Sequence, residues 1–113
     1  MKSKILALSK NEEFRDLLKK KKTSNKYVTV FFGQLDKKNK KKLNISFVAK
    51  KKLGNAVKRN KIKRRLKNIM NEALKKISLK LDYSYLVIAK PTMLDEEFKD
   101  IKETLFKEFS KIR

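Results

Sequence analysis

From Lys37 through Asn71 the chain carries no acidic side chain, while fifteen of those 35 residues are basic: twelve lysines together with Arg59, Arg64 and Arg65. Any fold must leave this block to solvent or to an anionic partner, because an unpaired ammonium or guanidinium is too costly to bury. The rest of the 113 residues does not neutralise it: 33 Lys and Arg stand against 12 Asp and Glu, a net charge of +21. Residues 91–113 come closest to balance, with six acids against five bases. Repulsion among so many surplus charges destabilises a compact state that has no polyanion to bind. Nucleic acid is therefore the leading partner, drawn in by long-range field and by counterion release, and an anionic membrane surface is the second. A run of like charge alone reads as a disordered tail. Here patterned apolar residues interrupt it, so one folded basic face is expected.

The same composition removes much of enzymology. With no His and no Cys, there are no disulfides, thiolate or imidazole metal ligands, Cys nucleophiles or His-based acids and bases. Hydrophobic residues at 40% and seven Phe supply core material for one domain of this length, spanning residues 1–113 with 1–8 a flexible lead-in. The longest apolar run near the N-terminus, Ile5 to Leu8, is too short for a signal peptide or a membrane span. A cytoplasmic protein without membrane attachment is the expectation.

Periodicity gives the order of elements. Ser9-Lys10-Asn11-Glu12 is a capping pattern ahead of a helix with Phe14, Leu17 and Leu18, expected to end in the run Lys19 to Lys22, where cations suit the negative end of the helix dipole. Tyr27 to Phe32 is β-branched and aromatic, a strand, and Gly33 to Lys42 a polar turn. Leu43 to Ala49 alternates: Leu43, Ile45, Phe47 and Ala49 share one face, while Asn44, Ser46, Val48 and Lys50 make a mixed face open to a ligand. After the turn Lys51 to Asn55, with Asn55 a natural N-cap, a helix runs from Ala56 to about Ile77. Its apolar stripe is Ile62, Leu66, Ile69, Met70, Ala73 and Ile77; Asn60, Arg64, Lys67 and Asn71 fall off that stripe, with Lys61, Arg65 and Asn68 beside them. Asp82 to Lys90 is a buried strand closed by Pro91. Thr92 or Asp95 caps a last helix with an apolar seam of Phe98, Ile101, Leu105, Phe109 and Ile112. The expected fold is α+β, a small sandwich of helices on a mostly four-stranded sheet in the order α-β-β-β-α-β-α.

Own-side-chain catalysis looks poor. Glu12-Glu13 and Asp95-Glu96-Glu97 sit where helices begin, and complementing the helix dipole explains them. Gly33 and Gly54 are the only glycines, too few for a phosphate-cradling loop. The basic block has no carboxylate to hold a catalytic metal.

The densest constellation is the stretch from Lys51 to Lys67, a turn that delivers the N-terminus of a cation-bearing helix. Helix N-terminal amides, Lys and Arg grip phosphates, and Asn pairs with a base edge or a 2′-hydroxyl. Lys52, Gly54, Asn55, Ala56, Val57, Arg59, Asn60, Lys63 and Arg64 match nine of thirteen positions of a pattern that resembles the bacterial ribonuclease P protein subunit. The length, the Asn11-Glu12-Glu13-Phe14 opening of the first helix, the Asp82-Tyr83 lead into the late strand and Ala89-Lys90-Pro91 are also similar to that family. Two departures stand out. Lys61 replaces an arginine, which keeps charge but loses a bidentate fork, and the glycine common after the first helix is absent.

The resemblance implies a ribonucleoprotein whose RNA holds the Mg2+ ions and cleaves precursor tRNA at the 5′ end of the mature sequence, with no cofactor or catalytic residue on the protein. It implies contact with the catalytic RNA through Lys51, Lys52, Asn55, Lys58, Arg59, Asn60, Lys61, Lys63, Arg64 and Lys67. It implies a cleft between the first helix and the sheet for the single-stranded 5′ leader. Phe14 matches the leading cleft aromatic, Leu18 stands where a second aromatic is common, and Phe31 or Phe32 and Val48 are further cleft candidates. Stacking on aromatics tolerates any base. A left-handed β-α-β crossover around the basic helix, in a ribosomal-protein-like sandwich, is implied too, against the usual right hand. No small-molecule substrate is implied. Rival readings are a small ribosomal or ribosome-associated protein and a stand-alone metal-dependent nuclease.

Overall fold

Strand pairing is the frame on which everything else is placed. In a computed structural model of the chain, which describes residues 5–8, 11–35 and 42–112, the elements are β1 (Ile5–Leu6), α1 (Asn11–Leu18), β2 (Lys21–Ser24), β3 (Val28–Gly33), β4 (Leu43–Val48), α2 (Ala56–Lys76), β5 (Ser84–Ala89) and α3 (Phe98–Ser110). Short 3-10 turns precede α2 at Lys51–Leu53 and α3 at Pro91–Leu94. The strands form one mixed sheet in the order β1-β4-β5-β3-β2. β4 pairs with β5 in parallel, and α2 is the connection between them, the crossover for which a left hand is implied. β3 runs antiparallel to both β5 and β2.

The fold class and the α-β-β-β-α-β-α order hold, with a fifth strand added. Ile5–Leu6 pairs in parallel with Leu43 and Asn44 where a flexible lead-in was expected, and Leu8 is buried; residues 1–4 lie outside the described residues, as do Ser9 and Lys10 of the capping pattern and residues 36–41 of the polar turn. The first helix is shorter than its charge pattern suggests. It closes at Leu18 through turn bonds from Lys19 N–H to the Asp16 carbonyl and from Lys20 N–H to the Leu17 carbonyl. Lys21 and Lys22 then enter β2, opposite Phe32 and Phe31. The reason is that an edge strand has one pairing partner and tolerates lysines, which also discourage edge-to-edge association.

Side-chain alternation divides the sheet into two faces. Val30, Phe32, Leu43, Ile45, Tyr85 and Val87 point to the face covered by α2 and α3, where they meet Ile62, Leu66, Ile69, Ile101, Leu105 and Phe109 in the main core. Tyr85 is buried there with its hydroxyl donating to the Lys80 carbonyl at 2.8 Å, and burial pushes that hydroxyl's pKa up. On the opposite face α1 lays Leu17 over Leu86, in a smaller cluster that includes Leu8. Two details of α3 depart from the sequence reading. Phe98, the first member of its seam, is more than a third exposed. Neither Thr92 nor Asp95 caps the helix: Glu97 occupies the N-cap without a side-chain bond, because Pro91 starts a separate 3-10 turn, whose Thr92 hydroxyl donates to the Lys26 carbonyl.

The turn into α2 explains two motif residues. Leu53 is buried, which pins the 3-10 turn to the core. Gly54 has φ of 130°, a region L side chains avoid, and a Cβ there would lie 2.9 Å from the Lys58 side chain. Asn55 then caps the helix, its side-chain oxygen accepting from the Lys58 N–H at 3.0 Å. We expect Gly54→Ala to lower unfolding free energy by about 1–3 kcal/mol and Asn55→Ala by about 1 kcal/mol, whereas the exposed Asn60→Ala stays within about 0.5 kcal/mol of wild type. Urea denaturation checks this, and equal effects at all three positions would contradict it.

Candidate nucleic-acid interface

The rotation of α2 is set by its apolar residues. Ile62, Leu66, Ile69, Met70 and Ala73 are buried, each removed from water at a gain of about 1.5–3 kcal/mol for the larger side chains. At 100° per residue the opposite side of the helix must then carry Asn60, Arg64 and Lys67 outward, and all three are exposed. Lys58, Lys61, Lys63 and Asn68 are exposed beside them, and Lys51 and Lys52 are exposed on the preceding turn. Arg65 and Arg59 are half-buried on the flanks, and Asn71, farther along the outward side, is half-buried too. The side-chain oxygen of Asn55 is engaged in the cap.

This surface is electrostatically unspent. Among the described residues, no cation from Lys58 to Lys67 lies in an ion pair; the pairs present are Lys26 with Glu96 at 2.8 Å and Lys102 with Glu72 at 3.1 Å. The hydrogen bond to Glu96 raises the Lys26 pKa, and the one from Lys102 lowers that of Glu72. Arg59 Nε is shielded from water and has no hydrogen-bond partner. On one flank Lys58, Lys61 and Arg65 face Asp95, Glu96 and Glu97 across a groove of about 430 Å3. The acidic wall bounds the basic surface on that side.

The second candidate region lies on the other face of the sheet. Phe14, Phe31 and Val48 pack with Ile88 and Leu35 around Leu17 and Leu86, and all three are half-buried, so their outer edges remain available. Leu18 is 49% exposed and stands outside this cluster, because Phe14 and Leu17 take the positions of the short helix that face the sheet. Phe32 is corrected: neighbouring residues of a strand point to opposite faces, and Phe32 is 8% exposed in the main core, with its ring 5.8 Å from that of Tyr83. Phe31 is therefore the aromatic that β3 offers to the α1 face.

Several residues here escape sequence reading. Lys22 holds its Nζ 6.0 Å from the Phe31 ring centre, and Lys90 Nζ donates to Ser24 Oγ at 2.7 Å. Their signal is the β2–β3 register, and the strand that carries it is hidden in a run of lysines. Among the described residues, no three acidic side chains converge in a way that could hold a metal ion, and no helix is long and apolar enough to cross a membrane.

Comparison with known proteins follows the same lines. The family model described as Ribonuclease P matches residues 3–113. The ribonuclease P protein component of Bacillus pumilus is 36% identical over 99 residues, covering 87% of this chain and 80% of that protein. The corresponding component of Carboxydothermus hydrogenoformans is 35% identical over 107 residues, covering 91% and 87%. Among solved structures, the Staphylococcus aureus RNase P protein superposes with a TM-score of 0.77 at 27% identity, covering 94% of this chain and 93% of that one. The Thermotoga maritima RNase P protein has a TM-score of 0.80 at 24% identity, covering 96% and 98%, a likeness of fold. A match across nearly the whole chain, together with the Gly54–Asn55 turn and the outward cations of α2, places this chain in the ribonuclease P protein family.

Proposed function

We propose that the chain is the protein subunit of a ribonuclease P endoribonuclease that matures the 5′ end of tRNA, with the cleaving groups on the RNA subunit. In this reading α2 and its preceding turn bind the catalytic RNA through Lys51, Lys52, Lys58, Arg59, Asn60, Lys61, Lys63, Arg64 and Lys67, with Asn55 holding the turn that aims them. The half-exposed face of Phe14, Phe31 and Val48 takes the single-stranded 5′ leader of precursor tRNA. The observation that carries the reading is the set of α2 cations turned outward, none of which, among the described residues from Lys58 to Lys67, lies in an ion pair. Such charges replace the counterions an RNA otherwise collects, so the protein lowers the magnesium concentration at which the RNA works. The RNA, and not this chain, is the expected holder of the Mg2+ ions used in cleavage.

Each cleft side chain has a defined part. The Phe31 and Phe14 rings offer flat apolar surface to bases of any identity, and Val48 fills the space between strands. Lys22, above the Phe31 ring, meets the backbone of a strand stacked there. Because stacking on aromatic rings is tolerant of base identity, leaders of varied sequence would bind.

Reconstitution tests the reading: added to a bacterial ribonuclease P RNA at limiting magnesium, the chain should restore 5′ processing of precursor tRNA. Cleavage by the chain without RNA would instead establish a stand-alone nuclease, and co-purification with ribosomal subunits a ribosomal protein. Arg59→Ala with Lys63→Ala should slow holoenzyme cleavage about tenfold or more at limiting magnesium, since each charge-assisted contact is worth about 1.5 kcal/mol or more; high magnesium should restore the rate. Unchanged magnesium demand would reject the role of α2. Affinity for the catalytic RNA should fall steeply with salt, with a slope of about −0.7 to −0.9 per neutralised phosphate, and a flat titration would count against phosphate binding.

A further inference from the structure

One cavity lies away from α2 and has no part in the function proposed above. It measures about 600 Å3 and opens at the end of the sheet where β2 begins, β3 ends and β5 begins. Lys19, Lys20, Lys21 and Lys80 surround it, and Phe32, Gly33, Gln34 and Tyr83 complete the lining. The lysine stems are placed by the backbone. Lys20 lies across Gly33, where any Cβ would meet its stem at 2.9 to 3.0 Å, and Lys80 holds its Nζ 5.1 Å from the Tyr83 ring centre.

Four ammonium groups around an aromatic wall repel one another unless an anion lies between them. The two nearby carboxylates offset four ammonium charges only in part: Asp82 accepts from Gln34 Nε2 at 2.9 Å, and Asp16 lies in the adjoining cavity. That second cavity, about 270 Å3, shares Lys19, Lys20 and Gln34 with the first and adds Leu35. Leu35 also packs in the cluster of Phe14, Phe31 and Val48. The two cavities adjoin along Lys19, Lys20 and Gln34, and Leu35 sets the second beside the α1 face, which outlines a passage around the end of the sheet to Lys80 and Tyr83. A single phosphate would leave most of this passage empty. An extended polyanion carrying flat bases fills it, with phosphates at the lysines and a base against Tyr83.

We propose that this passage is a second binding site for single-stranded RNA, extending the strand held on the α1 face around the sheet end into the lysine pocket. The proposal rests on the reading that the α1 face binds a single strand, and the test separates the two. Binding of labelled, unstructured oligouridylates of about four and about twelve nucleotides to the full chain is measured by fluorescence anisotropy, for wild type, Lys20→Gln with Lys80→Gln, and Phe31→Ala. Wild type should bind the longer oligomer about tenfold tighter than the shorter one. The double lysine variant should lose several-fold affinity for the long oligomer alone, and the salt slope for that oligomer should shrink by about 1.4, two phosphates at about 0.7 each. Its unfolding transition should match wild type, because both lysines are exposed.

Equal loss at both lengths, or no loss at either, overturns the site. Binding of ATP that the lysine variant abolishes, with no length advantage for RNA, overturns it too and assigns the pocket to free nucleotides. If Phe31→Ala leaves the short oligomer unaffected, it is the α1-face reading that fails, while a persisting lysine effect on the long oligomer alone still supports the pocket.

Discussion

The packing of one helix against one face of the sheet governs the rest of the molecule. α2 carries many cations, and its seat is fixed by Ile62, Leu66, Ile69, Met70 and Ala73 against a core that includes Leu43, Ile45 and Val87. Rotating the helix by one residue would bring a lysine or arginine to the sheet, at a desolvation cost several times the gain from any one apolar contact. The apolar stripe thus determines by exclusion which cations face outward, and the Gly54 backbone and Asn55 cap determine where along the molecule they start. Binding geometry here is a consequence of core packing.

The sheet converts alternation into division of labour. One face supplies the core beneath α2 and α3, and the other, thinly covered by the eight residues of α1, keeps Phe14, Phe31 and Val48 half-buried. A longer first helix would bury more of that face. The short helix follows from the strand that succeeds it, since Lys21 to Ser24 must be extended to pair with β3. The lysines that precede and open β2 then line the sheet end, so the same few residues close the helix, begin the edge strand and make the cationic passage.

Charge distribution ties these regions together. Acidic residues are placed where they serve local structure: Glu12 and Glu13 in the first turn of α1, Glu96 paired with Lys26, Glu72 with Lys102. Asp95, Glu96 and Glu97 also border α2, which gives its basic surface an edge. A polyanion approaching the molecule is attracted broadly but finds unpaired cations on the outer side of α2 and around the sheet end.

Much of this was legible before any coordinates. The α2 stripe, its outward cations and its Asn55 cap follow from a 3.6-residue period and from capping chemistry, both local properties, and the core residues Ile45, Ile101 and Leu105 follow from alternation or helical spacing. What the linear order could not decide was pairing. Lys21 and Lys22 read as the end of a helix until β3 is beside them, Ile5–Leu6 as a tail until β4 is, and Phe31 and Phe32 are equivalent until the register sends one to the α1 face and the other to the main core. The sequence by itself determined the helices, the basic face and the absence of imidazole and thiol chemistry, because these depend on neighbours a few residues apart or on composition. The tertiary structure alone decided the strand order, the open aromatic and the gathering of Lys19, Lys20, Lys21 and Lys80, because hydrogen bonds between strands join residues that are far apart along the chain.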